Sequence, residues 1–172
     1  MSVLDGWTLC PRCGVGLEPH AGVHRRCPGC GSEYWANSAP AVQGILERDG
    51  RVLLGRRRIE PRRGFWDIPG GFLEEGEEPF DGLRREFLEE TGLEVEPVEW
   101  IGAFVDPYDG HFVLGLSWIV SADGEPVAAD DVEELAWFTP DELPTEMAFA
   151  SQHEALRRWA ARGGPAASPR RT

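Results

Sequence analysis

Three glutamates, Glu86, Glu89 and Glu90, fall within about one helical turn of a segment whose apolar positions, Phe80, Leu83 and Phe87, recur at helical spacing. Pro79 suits the first turn of such a helix and Gly92 the position just past its end. At about 100° per residue, the three carboxylates share one arc beside the apolar stripe. Like charges that close repel, so folding alone gives no reason to gather them. A hard divalent cation does: magnesium takes oxygen ligands and joins a few carboxylates to substrate phosphates. Immediately upstream, Pro69-Gly70-Gly71 lets the backbone turn tightly, which brings its carbonyls toward the same ion.

The elements around this helix read as strands. Val42–Leu46 and Val52–Leu54 flank Asp49-Gly50, a two-residue hairpin signal, and Asp109-Gly110 repeats the device between Ile101–Val105 and Phe112–Val120. Thr139-Pro-Asp-Glu142 has the form of a capping box with proline at the first helical position. A last helix is expected from about Glu146 to Arg162, ending at Gly163-Gly164, with a disordered tail over 163–172. Strands with helices at two places predict an α/β layered fold with a mixed sheet.

Residues 1–36 differ in character and hold all four cysteines, Cys10-Pro-Arg-Cys13 and Cys27-Pro-Gly-Cys30, with Gly14 and Gly31 following each pair. Two Cys-x-x-Cys pairs suit a tetrahedral structural zinc, each pair supplying one thiolate turn. Disulfides, disfavoured in a reducing cytoplasm, and a rubredoxin-like iron site are the rival readings. His20 and His24 lie between the pairs and read as loop residues, since four cysteines complete the site. The chain thus divides into a module at 1–36, a catalytic domain at 37–162 and the tail.

The 172 residues carry a formal charge of −13, and every basic residue is an arginine. That balance argues against general nucleic-acid binding, which rests on neutralising many phosphates. An anionic substrate would need a divalent cation to bridge it to the acidic residues. Arg51, Arg56, Arg57, Arg58, Arg62 and Arg63 cluster before the acidic segment, either as a solvated face or as a phosphate-steering patch. Met1–Trp7 lacks a basic stretch followed by an apolar one, and no apolar run is long enough to span a bilayer, so neither signal peptide nor membrane span is expected and the cytoplasm is the predicted location.

The acidic segment resembles the Nudix box: Gly71, Glu77, Arg85, Glu86, Phe87, Glu89, Glu90, Gly92 and Leu93 fill its positions, with Phe87 bulkier than the usual aliphatic residue. Gly64-Phe-Trp-Asp-Ile-Pro-Gly-Gly71 is similar to the family's lead-in strand and turn, and Val132–Phe138 to its closing strand. The resemblance implies a Nudix α/β/α sandwich in which Glu86 and Glu90 lead the Mg²⁺ or Mn²⁺ ligands, Glu89 is a further ligand or the base, and Arg85 pairs with Glu77 to hold the loop. It implies hydrolysis of a diphosphate bond by a metal-activated water. The family varies its base; a glutamate often stands before the closing strand, where this chain has Asp131, followed by Glu133 and Glu134.

A zinc ribbon ahead of a Nudix domain resembles the NADH pyrophosphatases and the ADP-ribose or FAD pyrophosphatases. The Ser-Gln-Pro-Trp-Pro-Phe-Pro stretch of the first group is replaced here by Trp100–Tyr108, which lowers NADH as a substrate, and Pro107 is weakly similar to the second group. The expected substrate is a nucleoside-diphosphate-linked small molecule, ADP-ribose first, then FAD or NADH, releasing a mononucleotide such as AMP. No nucleic-acid or membrane partner is expected, and a homodimer is left open. Phe65, Trp66, Tyr34 and Trp35 are candidates for stacking on a base, against the plainer reading that they pack the interior. His111 and His153 carry no readable signal. The alternatives are a ligand-sensing regulator on the same fold, a zinc-ribbon interaction module without hydrolase activity, and an isomerase; an intact box disfavours the first and last.

Overall fold

Along Val52-Leu-Leu54 every side chain is buried, yet the three divide between two cores: Val52 and Leu54 face one way and Leu53 the other. That is the pattern of a strand covered on both faces. A computed structural model describes residues 3–18 and 22–162. Its main unit comprises Pro40–Asp106 and Leu114–Thr172. In chain order the strands are β1 (His24–Arg26), β2 (Glu33–Trp35), β3 (Ala39–Arg48), β4 (Arg51–Arg57), β5 (Trp66–Asp67), β6 (Gly70–Phe72), β7 (Glu96–Tyr108), β8 (His111–Ser121) and β9 (Val132–Phe138); the helices are α1 (Pro79–Thr91) and α2 (Ala150–Ala161).

The seven-stranded sheet runs β5-β4-β3-β8-β7, with β6 added to β3 and β9 to β4. The pairs β3–β4, β3–β6, β4–β5 and β4–β9 are antiparallel, while Trp66 and Met147 form a parallel bridge. One face packs Ile45, Val52, Leu54, Ile68 and Ile119 under Ala155, Leu156 and Trp159 of α2. The other packs Val42, Leu46, Leu53 and Val120 under Leu83 and Phe87 of α1. Helix, sheet and helix form the expected α/β/α sandwich. Truncating Phe87, which is fully buried, would cost about 3–5 kcal/mol. Phe80 departs from the predicted stripe: it is 45% exposed and rests edge-on against Trp118.

Both Asp-Gly hairpins form, with Asp49, Gly50, Asp109 and Gly110 all at positive φ as the tight turn requires. Gly92 closes α1 in the left-handed region, its N–H donating to the Leu88 carbonyl. The C-terminal expectations need correction. The capping box is present, yet it caps only a 3₁₀ turn, Pro140–Glu142; Leu143 precedes a proline, which disfavours helical backbone there. The last helix begins at Ala150 rather than near Glu146, because Glu146 and Ala148 bond the backbone of Trp66 on either side and are held extended. The tail over 163–172 and His20 lie outside the described residues. Among those described, no helix is long and apolar enough to cross a membrane.

The second unit comprises Met1–Ala39 with Pro107–Val113, the tip of the β7–β8 hairpin. Its own small core is Cys10, Leu17 and Cys27 beside Trp7 and Tyr34, backed by the β1–β2 ribbon. Arg25, buried, ties the module together by donating to the carbonyls of Leu4, Trp7 and Glu18.

Candidate active site and cysteine cluster

The turn Pro69-Gly70-Gly71 and the helix α1 meet carboxylate to backbone. The Gly70 N–H donates to Glu90 Oε2 at 2.9 Å. Glu86 lies against the next residue: a Cβ at Gly71 would stand 2.5 Å from the Glu86 Cδ, so any side chain there would displace the carboxyl. Gly70 has φ 147° and its backbone presses on strand β3, where an added Cβ would lie 2.6 Å from the Gln43 Cα. Two glycines in sequence are therefore what lets both carboxylates reach the turn.

The three glutamates of the arc are not equivalent. Glu90 is 7% exposed, and burial, reinforced by the charges of Asp67 and Asp131, raises its carboxyl well above the usual range. Burial also raises Glu86, partly offset by Arg85 at 2.7 Å. Glu89 stands at the rim, its side chain half exposed and 3.2 Å from Arg85. Arg85 is the hub of the loop. Its Nε and Nη2 donate to the two oxygens of Glu77 at 2.8 and 2.9 Å, and its Nη2 reaches the Phe72 carbonyl. That bidentate grip holds Glu77 down to a pKa of about 2, and Glu77 in turn accepts the Glu74 N–H.

Asp131, the residue just before β9, is near enough to influence both Glu86 and Glu90. Asp67 was missed by sequence reasoning. It stands on β5 beside Glu90, paired with Arg57 at 2.6 Å and bonded by Gln152. An aspartate in a short lead-in strand carries no signal of its own, and neither does a glutamine on a distant helix. Within the arginine cluster, Arg56 pairs with Glu133 and Glu134, Arg57 with Asp67, and Arg58 donates to the carbonyls of Asp130 and Val132. These guanidiniums knit β4 to β5 and β9. Of the aromatic candidates, Trp66 packs edge-on to Phe138 in the core, Tyr34 packs on Trp7, and Trp35, half exposed, lies against the His24 ring.

The hard oxygen donors of buried Glu90 and partly buried Glu86, close enough to Asp67 and Asp131 to feel their charge, suit a Mg²⁺- or Mn²⁺-sized dication, which would offset the cost of holding those acids out of water. In the cysteine module the four Sγ atoms lie within 4.8 Å of one another, with Cys10–Cys30 at 3.8 Å and Cys13–Cys27 at 3.6 Å. Tetrahedral zinc with Zn–S of about 2.3 Å needs sulfurs about 3.8 Å apart. The two knuckles are alike, each closed by a glycine N–H, Gly14 to Cys10 and Gly31 to Cys27. No disulfide joins the four cysteines. A bond with the Tyr34 hydroxyl lowers Cys10 to about 6, and Ser32 lowers Cys30. Cys13 accepts a backbone bond from Val15 that lowers it, yet burial and the neighbouring thiols carry it to about 12; crowding of that kind is what a bound dication relieves.

The NUDIX domain family matches residues 37–160. An ADP-ribose pyrophosphatase of Methanocaldococcus jannaschii is 36% identical over 126 residues, covering 71% of this chain and 72% of that protein. The NAD-capped RNA hydrolase NudC of Chromobacterium violaceum is 31% identical over 153 residues, 87% of this chain but 57% of its own length; the chain spans about half the length of the NudC relatives it matches. Among solved structures, a NUDIX hydrolase from Nitrosomonas europaea superposes with a TM-score of 0.77 at 27% identity, covering 92% of this chain and 95% of that one. Sequence, fold and the geometry of the acidic helix agree, and the chain belongs to the Nudix hydrolase family.

Proposed function

We propose that this Nudix diphosphatase hydrolyses the diphosphate bond of a nucleoside-diphosphate-linked small molecule, with ADP-ribose the favoured substrate and FAD or NADH next, releasing a mononucleotide such as AMP. The observation that carries the reading is the seating of Glu86 and Glu90 against Gly71 and Gly70, which turns one buried and one partly buried acid toward one backbone turn.

Glu86 and Glu90 hold one or more Mg²⁺ or Mn²⁺ ions, with Glu89 at the rim as a further ligand or the base. When bound, such a cation offsets charge on the diphosphate oxygens and acidifies a water. Gly70 fixes the rotamer of Glu90 through its N–H, and Arg85 fixes the loop through Glu77 while balancing the charge of Glu86. Glu89, or Asp131 just before β9, would take the proton from water as its oxygen bonds to phosphorus and the bridging P–O bond breaks. The four cysteines would hold a structural zinc through their thiolates.

Identity to an ADP-ribose pyrophosphatase over most of both chains supports the favoured substrate. A second reading, an NAD-type diphosphate that includes the cap of an RNA, is favoured by the longer reach of the NudC match along this chain. Against an RNA body stands the charge of −13. Incubation with Mg²⁺ or Mn²⁺ and ADP-ribose, FAD, NADH or NAD-capped RNA, reading AMP release or decapping, tests the assignment. Turnover of ADP-ribose above the others supports it; a metal-replete protein that cuts none of them leaves the ligand-sensing reading instead.

A further inference from the structure

Beneath the catalytic turn runs a belt of buried polar side chains drawn from five elements. Ser117 on β8 accepts from Gln43 Nε2 at 2.6 Å; Gln43 Oε1, on β3, accepts from Gln152 Nε2 of α2 at 3.1 Å; the same Gln152 Nε2 donates to Asp67 Oδ1 on β5; and Asp67 Oδ2 accepts from Arg57 of β4 at 2.6 Å. Ser117, Gln152 and Gln43 are 0%, 2% and 9% exposed. The belt touches the turn from two sides. Gln43 is the register partner of Gly70, the residue that binds Glu90, and Asp67 is a charged neighbour of Glu90.

Stability does not explain this arrangement. Buried polar groups are costly unless every one is satisfied, and apolar residues of like shape serve a core equally well. Here the buried Gln152 Oε1 accepts no hydrogen bond from the protein, so the belt carries an acceptor that the side chains around it leave unsatisfied. What the Gln152 amide does is direct Asp67. With Arg57 on one carboxylate oxygen and Gln152 on the other, Asp67 has one orientation, and Ile68-Pro69-Gly70 follows directly in the chain.

We infer that Gln152 is a positioning residue for the active site, acting through Asp67 and Gln43 to set the turn that holds Glu90. This rests on the assignment of Glu86 and Glu90 as metal ligands, and it adds α2, remote in sequence from the box, to the machinery that determines metal affinity and turnover.

The test is Gln152→Met, nearly isosteric and free of the orphaned oxygen. The melting temperature is expected to fall modestly, since Gln43 Oε1 and Asp67 Oδ1 lose their Gln152 donor, while Mn²⁺ affinity, titrated without substrate, and kcat each fall about tenfold or more, with KM little changed. Gln152→Asn, which keeps the amide but withdraws it from Asp67, is expected to lose the same functions and stands in should methionine not be accommodated. Leu156→Ala serves as the control: it lowers the melting temperature and leaves Mn²⁺ affinity and kcat near normal. Unchanged Mn²⁺ affinity and kcat in a folded Gln152 variant would overturn the inference, as would losses that merely track stability across all three variants. If the unaltered protein binds Mn²⁺ yet cuts no diphosphate, the substrate assignment fails, while the Mn²⁺ titration still decides the role of Gln152.

Discussion

The Gly70 N–H donates to Glu90 at 2.9 Å across a separation of 20 residues. A backbone donor aimed at a buried carboxylate fixes where that carboxylate points, and Glu86 is fixed beside it by contact with Gly71. If both acids serve as metal ligands, Glu86→Gln and Glu90→Gln should each lower kcat about a hundredfold or more, a barrier increase of about 2.7 kcal/mol, with circular dichroism unchanged. Near-normal AMP release from both variants would sink the ligand assignment.

Burial raises the Glu90 carboxyl in the folded state, so its contribution to stability is full below the ordinary carboxylate value of 4.5 and is lost as pH rises through the elevated one. The metal-free protein should therefore melt lower at neutral pH than in mild acid. Glu90→Gln, which removes the charge, should raise the metal-free melting temperature at neutral pH. Added Mg²⁺ should stabilise the unaltered protein and leave the variant nearly unmoved. A metal-free melting temperature that is flat with pH in the unaltered protein would count against this.

Glu77 has the opposite sign. The grip of Arg85 lowers it from 4.5 to about 2, so the stability it contributes is present above 4.5 and is lost as pH falls toward 2. Glu77→Gln should flatten that acid limb in urea unfolding followed at several pH values. It should also cut activity about 10- to 100-fold, as expected for a residue that orients rather than binds. Full activity in the variant would remove Arg85–Glu77 from the catalytic loop's support.

The cysteine module predicts one zinc per chain, measurable by elemental analysis of protein purified without chelator, and a cobalt-substituted form with tetrahedral thiolate absorption. Cys27→Ser, at a buried ligand position, should lose the metal and the protection of the β1–β2 ribbon in hydrogen exchange, since metal binding is folding energy for so small a core. Retention of stoichiometric zinc by Cys27→Ser would exclude the four-sulfur site.

The positions of the Nudix box, the two cysteine knuckles, both Asp-Gly hairpins and the extent of α1 were legible in the residue order, because each depends on local spacing: the helical repeat, the left-handed turn, the reach of a Cys-x-x-Cys loop. Helical spacing placed Glu89 on the same arc as Glu86 and Glu90 but could not show that Arg85 holds it at the rim. The start of α2 was misplaced because its determinant is not local; Trp66, far upstream, claims the backbone of Glu146 and Ala148.

By itself the sequence determined the family, the layered α/β class and the acids proposed to meet a metal, since these follow from periodicity and fixed intervals along the chain. Only the tertiary structure decided that Asp67, Gln43 and Gln152 stand beneath those acids and that Arg56, Arg57 and Arg58 are committed to neighbouring strands. The physical reason is that strand pairing and helix docking bring together residues as far apart in the chain as Gln43 and Gln152, separated by 109 positions, and no interval in the chain encodes that meeting.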